Sequence, residues 1–119
     1  MIIGASAVAG DSTSTVVNAV LSRAVPSLRV GIGAYSTDGS FSEGPTYWEY
    51  ATRFLSSAIT TLRSSMGSDY GLSSEGGFPR TGAFIRALVG PSGAAYGYAD
   101  SAQDIQIGGA LSGLGAALQ

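Results

Sequence analysis

The sequence predicts an all-α fold with long Gly-rich loops. Residues 45–66 carry apolar side chains at a 3.6-residue period, and residues 15–32 repeat that spacing. Polar runs rich in Gly and Ser, at 36–45 and 68–78, separate the periodic segments.

The chain has 119 residues, which suits one domain at most and allows a real core. Its apolar share of 45% is that of a globular chain rather than a disordered one. Charged residues are only 12%, about half the usual fraction, beside 18 glycines. So few charges fit a piece whose faces are covered by other parts of a parent protein. The expectation is therefore a single fragment, residues 1–119, cut from a larger helical domain.

The net charge is −2, all six cationic side chains are Arg, and they form no cluster. Nothing recommends a nucleic-acid partner. No apolar run approaches membrane-spanning length, so no membrane partner is expected. Residues 1–10 have no cationic side chain and do not read as a signal peptide. If the parent is secreted or periplasmic, its signal lies upstream. There is no Cys and no His, which excludes disulfides, thiolate metal sites and the commonest general base. Chemistry here would rest on Tyr, Asp, Glu, Ser or Arg. No cofactor and no metal are called for.

Residues 2–10 read as the last turns of an apolar helix, and 11–14 (DSTS) as a polar break rich in N-cap types. Val17, Val20, Leu21, Ala24 and Leu28 then recur at helical spacing. Pro26 lies inside that pattern and predicts a kink or split near Val25. Asp38-Gly39 marks a turn, and Gly44-Pro45 opens the next helix with Pro at its first position. Along 45–66 the expected buried stripe is Tyr47, Ala51, Phe54, Leu55, Ala58, Ile59, Leu62 and Met66. Glu49 and Arg53 face solvent as an i,i+4 ion pair. Gly67 is the C′ residue. A shorter helix is expected over 79–89, with Ala83, Phe84, Ala87 and Leu88 apolar, ended by Gly90-Pro91. Residues 91–104 read as irregular with a short extended stretch at 95–98, and 105–118 as a Gly-rich apolar segment. No dinucleotide fingerprint is present among its glycines.

Functional residue types are densest at 38–50 (DGSFSEGPTYWEY), where three carboxylates, two tyrosines and a tryptophan surround a loop-to-helix junction. Junctions of this kind expose free N–H groups at a positive dipole end. On the residues alone, several readings stay open. Tyr47 sits on the stripe and fits a core tyrosine. Trp48 and Tyr50 suit packing between helices as well as stacking on sugar. Glu43 fits a charge that favours a helix N-terminus.

The stretch from Asp38 to Leu72, with 91–101 (PSGAAYGYADS), resembles the heparinase II/III-like polysaccharide lyases and their alginate-lyase relatives. The likeness is concentrated in Asp38, Gly39, Phe41, Glu43, Gly44, Pro45, Tyr47, Trp48 and Tyr50, and the opening MIIGASAVAGD is also similar. It implies a partial α/α toroid, an incomplete barrel of paired helices, with the remaining helices and a β-sandwich domain missing. It also implies cleavage of uronic-acid polysaccharides, of glycosaminoglycan or alginate type, by β-elimination. A base removes the proton next to the uronate carboxylate, and an acid protonates the leaving glycosidic oxygen. By position Tyr47 takes the acid or base role, while Glu43, Trp48 and Tyr50 contact substrate.

A phenol with its reference pKa near ~10 can give a proton at neutral pH. The uronate carboxylate must also be neutralised in the transition state. Arg53 lies about 120° around the helix from Tyr47. Arg80 and Arg86 are the other cations the fold is left to bring near. The family's Asn and His partners have no histidine counterpart here, so no lyase activity is expected of the 119 residues alone. The rival expectations are a non-catalytic carbohydrate-binding or scaffold module and a piece that self-associates through exposed apolar helix faces.

Overall fold

The computed structural model describes residues 1–7, 14–102 and 107–119. Five α-helices follow in order: α1 (Ile2–Ala7), α2 (Ser14–Ile32), α3 (Pro45–Met66), α4 (Thr81–Leu88) and α5 (Gly108–Ala117). Two isolated antiparallel bridges, Tyr35 with Phe41 and Val89 with Ala95, are the extended pairings recorded among these residues. The all-α expectation holds. The polar break at 11–13 and the segment ends at 8–10 and 103–106 lie outside the described residues.

Helix α3 is the spine. Pro45 sits at its first turn, where a missing N–H costs nothing. Gly67 ends it in the left-handed region (φ 71°), and its N–H reaches the Arg63 carbonyl at 2.9 Å. Both ends lie where the sequence placed them. Helix α5 packs along α3, and α1 packs against both α2 and α3. A Cβ at Gly113 would stand 3.4 Å from the Ser56 Cβ, so this small residue lets α5 approach α3 closely. Arg63 ties the far end together. It donates to the Ala117 carbonyl in the last turn of α5 (2.7 Å), to Asp69 Oδ2 (2.9 Å) and to Ser73 Oγ (2.8 Å). Asp69 is pushed up by desolvation, but hydrogen bonds from Ser73 and Gly71 and the Arg63 charge outweigh that and hold it below the usual carboxylate value.

Two expectations are corrected. Pro26 does not split α2, which runs unbroken from Ser14 to Ile32. The Ser27 hydroxyl donates to the Arg23 carbonyl at 3.0 Å, supplying a bond beside the missing one. The buried stripe of α3 is rotated at its start. Trp48, Thr52, Leu55, Ile59 and Leu62 point inward, whereas Tyr47 and Phe54 are exposed. In α4 the inward residues are Thr81 and Ile85, with Phe84 and Leu88 half-buried and Ala83 and Ala87 exposed.

The 68–78 loop is less plain than its composition suggests. Single 3₁₀ turns at Leu72–Ser74 and Phe78–Arg80 drive Leu72 and Phe78 into the core beside Trp48, Ile59, Leu62 and Ile85. Each such large apolar side chain stabilises the fold by roughly 1.5–3 kcal/mol through burial. Tyr35 meets Phe41 and Phe78 at ring-centroid distances of 5.0 and 5.4 Å, closing the core under the loop that precedes α3.

Candidate functional site

The loop before α3 is held by hydrogen bonds along most of its length. The Ser36 N–H donates to the Ser40 carbonyl (2.9 Å) and the Gly39 N–H to the Ser36 carbonyl (2.7 Å). Asp38 accepts the Ser40 N–H at 2.9 Å, an Asx turn, and these Ser40 bonds hold its carboxyl below the ordinary range. Gly39 adopts φ 90°, and a Cβ there would lie 2.6 Å from the Arg80 carbonyl carbon. Close approach lets the Thr81 hydroxyl donate to the Gly39 carbonyl at 2.7 Å. The Thr81 oxygen in turn accepts the Trp48 indole N–H at 2.6 Å. Arg80 donates to the Thr37 carbonyl at 2.6 Å.

A second segment straps across the start of α3. The Tyr98 hydroxyl donates to the Phe41 carbonyl, and burial pushes its phenol up. Gly44, at φ 89°, leaves room for the Tyr98 carbonyl, which a Cβ would approach to 2.3 Å. Gly44 offers α3 no side-chain cap. Ser101 supplies it, accepting the Thr46 N–H at 2.9 Å. The Thr46 hydroxyl accepts the Ala102 N–H at 3.0 Å, so the strap is held in both directions.

Within this frame the predicted site residues separate. Glu43 is exposed in the turn just before α3. Tyr47 is 44% exposed in the first turn, and Tyr50 is 57% exposed one turn on. Positions 47, 50 and 54 share one helix face, so Phe54, 54% exposed, continues the row. Tyr50 and Phe54 touch, with ring centroids 4.8 Å apart and planes 57° apart. The Arg53 guanidinium carbon lies 5.4 Å from the Phe54 centroid. Beside Phe54 runs an apolar trough lined by Ser27, Leu28, Ala51 and Ala58 of α2 and α3.

Trp48 is not on that face. It is fully buried and its indole N–H is taken by Thr81, so the expected sugar contact at Trp48 is corrected to a core role. Arg80 is spent on the Thr37 backbone, and Arg86 lies exposed on α4. Among the described residues no group of three or more acidic side chains converges as a metal ligand set, and no helix is long and apolar enough to cross a membrane.

No protein-family model, curated protein or solved structure matches this chain. Phe54 and Arg53 are the surface residues that sequence reasoning did not assign to a site. The apolar period puts Phe54 on the buried stripe, and the i,i+4 spacing puts Arg53 in a solvated ion pair. The signal available was local, since Tyr47, Tyr50 and Phe54 fall at i, i+3 and i+7 with a cation next to the last ring.

Proposed function

We propose that this chain forms part of the helical toroid of a polysaccharide lyase that cleaves uronic-acid-containing polymers by β-elimination. The observation that carries the reading is the division of labour within 38–50. Gly39, Phe41, Gly44, Pro45 and Trp48 build a buried support, braced by the exposed Asp38 through its Ser40 bond, and Glu43, Tyr47 and Tyr50 are left at the surface beside it.

In this reading Tyr47 moves the proton. As acid it gives its phenolic hydrogen to the glycosidic oxygen as the carbon–oxygen bond breaks. As base it takes the hydrogen next to the carboxylate, and that electron pair becomes the new carbon–carbon double bond. Tyr50 holds a sugar ring and Glu43 shapes the entrance. Groups elsewhere in a parent protein complete the acid–base pair, as the lack of histidine requires.

The test is to incubate the chain, and the parent protein containing it, with alginate and glycosaminoglycan polymers and follow the ultraviolet absorbance of unsaturated ends. Product from the parent that disappears in Tyr47→Phe supports the assignment. Undiminished product in that variant ends it. The row of exposed rings favours one second reading, carbohydrate binding without cleavage, which predicts bound polymer and no product from either sample.

A further inference from the structure

We propose that Tyr50, Arg53 and Phe54 form a subsite for a single acidic sugar residue, with the two rings holding the pyranose and the guanidinium holding its carboxylate. The subsite rests on the polysaccharide reading of the same helix face, and it names what that face selects.

Three features carry it. The rings of Tyr50 and Phe54 meet at 57° with centroids 4.8 Å apart, forming an open two-walled corner at the surface. Apolar C–H faces of a pyranose pack against such rings, and Tyr adds a hydroxyl at the wet edge. Second, the Arg53 guanidinium carbon is 5.4 Å from the Phe54 centroid, so its charge stands at the wall of that corner. Third, Glu49 comes to 3.6 Å from Arg53 at Nε, an ion pair without a hydrogen bond. The two terminal nitrogens have no hydrogen-bond partner among the described residues. They form the fork that a carboxylate takes in bidentate fashion. Glu49, largely covered by its neighbours, thus anchors the inner edge of the guanidinium while the outer edge stays open.

Neutral sugars would meet the rings alone. A protein partner would need the rings but not a single carboxylate opposite Arg53. The combination of a small aromatic corner and one open cationic fork therefore points to a uronate rather than to either.

Calorimetric titration of the full chain with trigalacturonate and with its fully methyl-esterified form tests this. The acid is expected to bind at least about tenfold more tightly than the ester, because only the acid gains a charge-assisted pair. Arg53→Gln should bring the acid down to the level of the ester. Arg53→Lys should recover part of the difference. Phe54→Ala should weaken acid and ester alike. All three positions are exposed, and unchanged circular dichroism would verify folding. No binding of the acid, equal binding of acid and ester, or binding indifferent to all three variants overturns the subsite. Unsaturated product from the parent protein, together with acid binding that is indifferent to loss of Arg53 and Phe54, would sink the subsite and leave the lyase reading intact. Acid-selective binding through these residues keeps the subsite, whatever the product assay gives.

Discussion

The Ser101 hydroxyl accepts the Thr46 N–H at 2.9 Å and so caps α3 from 55 positions away in the chain. The helix that carries Tyr47 thereby starts on a bond made by a distant strap, since Gly44 has no side chain to offer. Ser101→Ala should lower stability by about 1 kcal/mol, as lost N-caps do, and Ser101→Thr should keep most of it. Urea unfolding followed by Trp48 fluorescence reads the difference. An unchanged midpoint in the Ala variant would mean that the cap contributes nothing.

Thr81 holds two buried groups at once, accepting from the Trp48 indole and donating to the Gly39 carbonyl. Thr81→Val keeps the shape and orphans both. The expected loss is about 2–6 kcal/mol, from roughly 1–3 for each unsatisfied buried group. Thr81→Ser, which retains the hydroxyl, should lose less than half of that. Equal losses in the two variants would place the effect in packing rather than in the hydrogen bonds.

Two glycines should respond in opposite directions. Gly39 has φ 90° and no room for a methyl group beside Arg80 and Thr81, so Gly39→Ala should cost several kcal/mol, of order 3 or more. Gly109 lies in α5 with nothing within 4 Å of an added Cβ, and Gly109→Ala should stabilise by about 0.5–1 kcal/mol. Thermal melts of the pair check both signs, and a stabilising Gly39→Ala would refute the close packing of the loop on α4.

Burial pushes the Tyr35 phenol up to about 12, against a smaller downward pull from its 2.9 Å hydrogen bond with Thr52. A folded value above the unfolded value of about 10 means that the neutral phenol is favoured by folding. The stabilisation is complete below pH about 10 and is lost as pH rises through about 12, by roughly 3 kcal/mol in total. Stability measured at successive alkaline pH values should fall across that window. In Tyr35→Phe the fall should be shallower, with the remainder due partly to Tyr98, which burial also raises. Identical slopes in the two proteins would remove Tyr35 as the cause.

What was legible in the sequence was local. The span of α3, its Pro start and its Gly67 end follow from period and termination rules that act within one turn. The inward face was not legible at its beginning. Trp48 could turn inward only because Thr81, 33 positions later, accepts its N–H, and Thr52 could be buried only because Tyr35 meets it. Those partners displaced Tyr47 and Phe54 to the surface although hydropathy assigned them to the core. Leu72 and Phe78 stand among glycines and serines, where no periodicity announces a buried residue. The motif at 38–50 was visible as a cluster, but its split into support and surface depended on tertiary contacts with α4 and with the strap.

A chemical-shift map of isotope-labelled protein titrated with an oligouronate tests the sugar-facing role of α3 most directly. Perturbations concentrated at Tyr47, Tyr50, Arg53 and Phe54, with the buried Trp48 indole little moved, are the predicted result. A map with no saturable shifts on α3, or with shifts confined to α4 and the 68–78 loop, would contradict it.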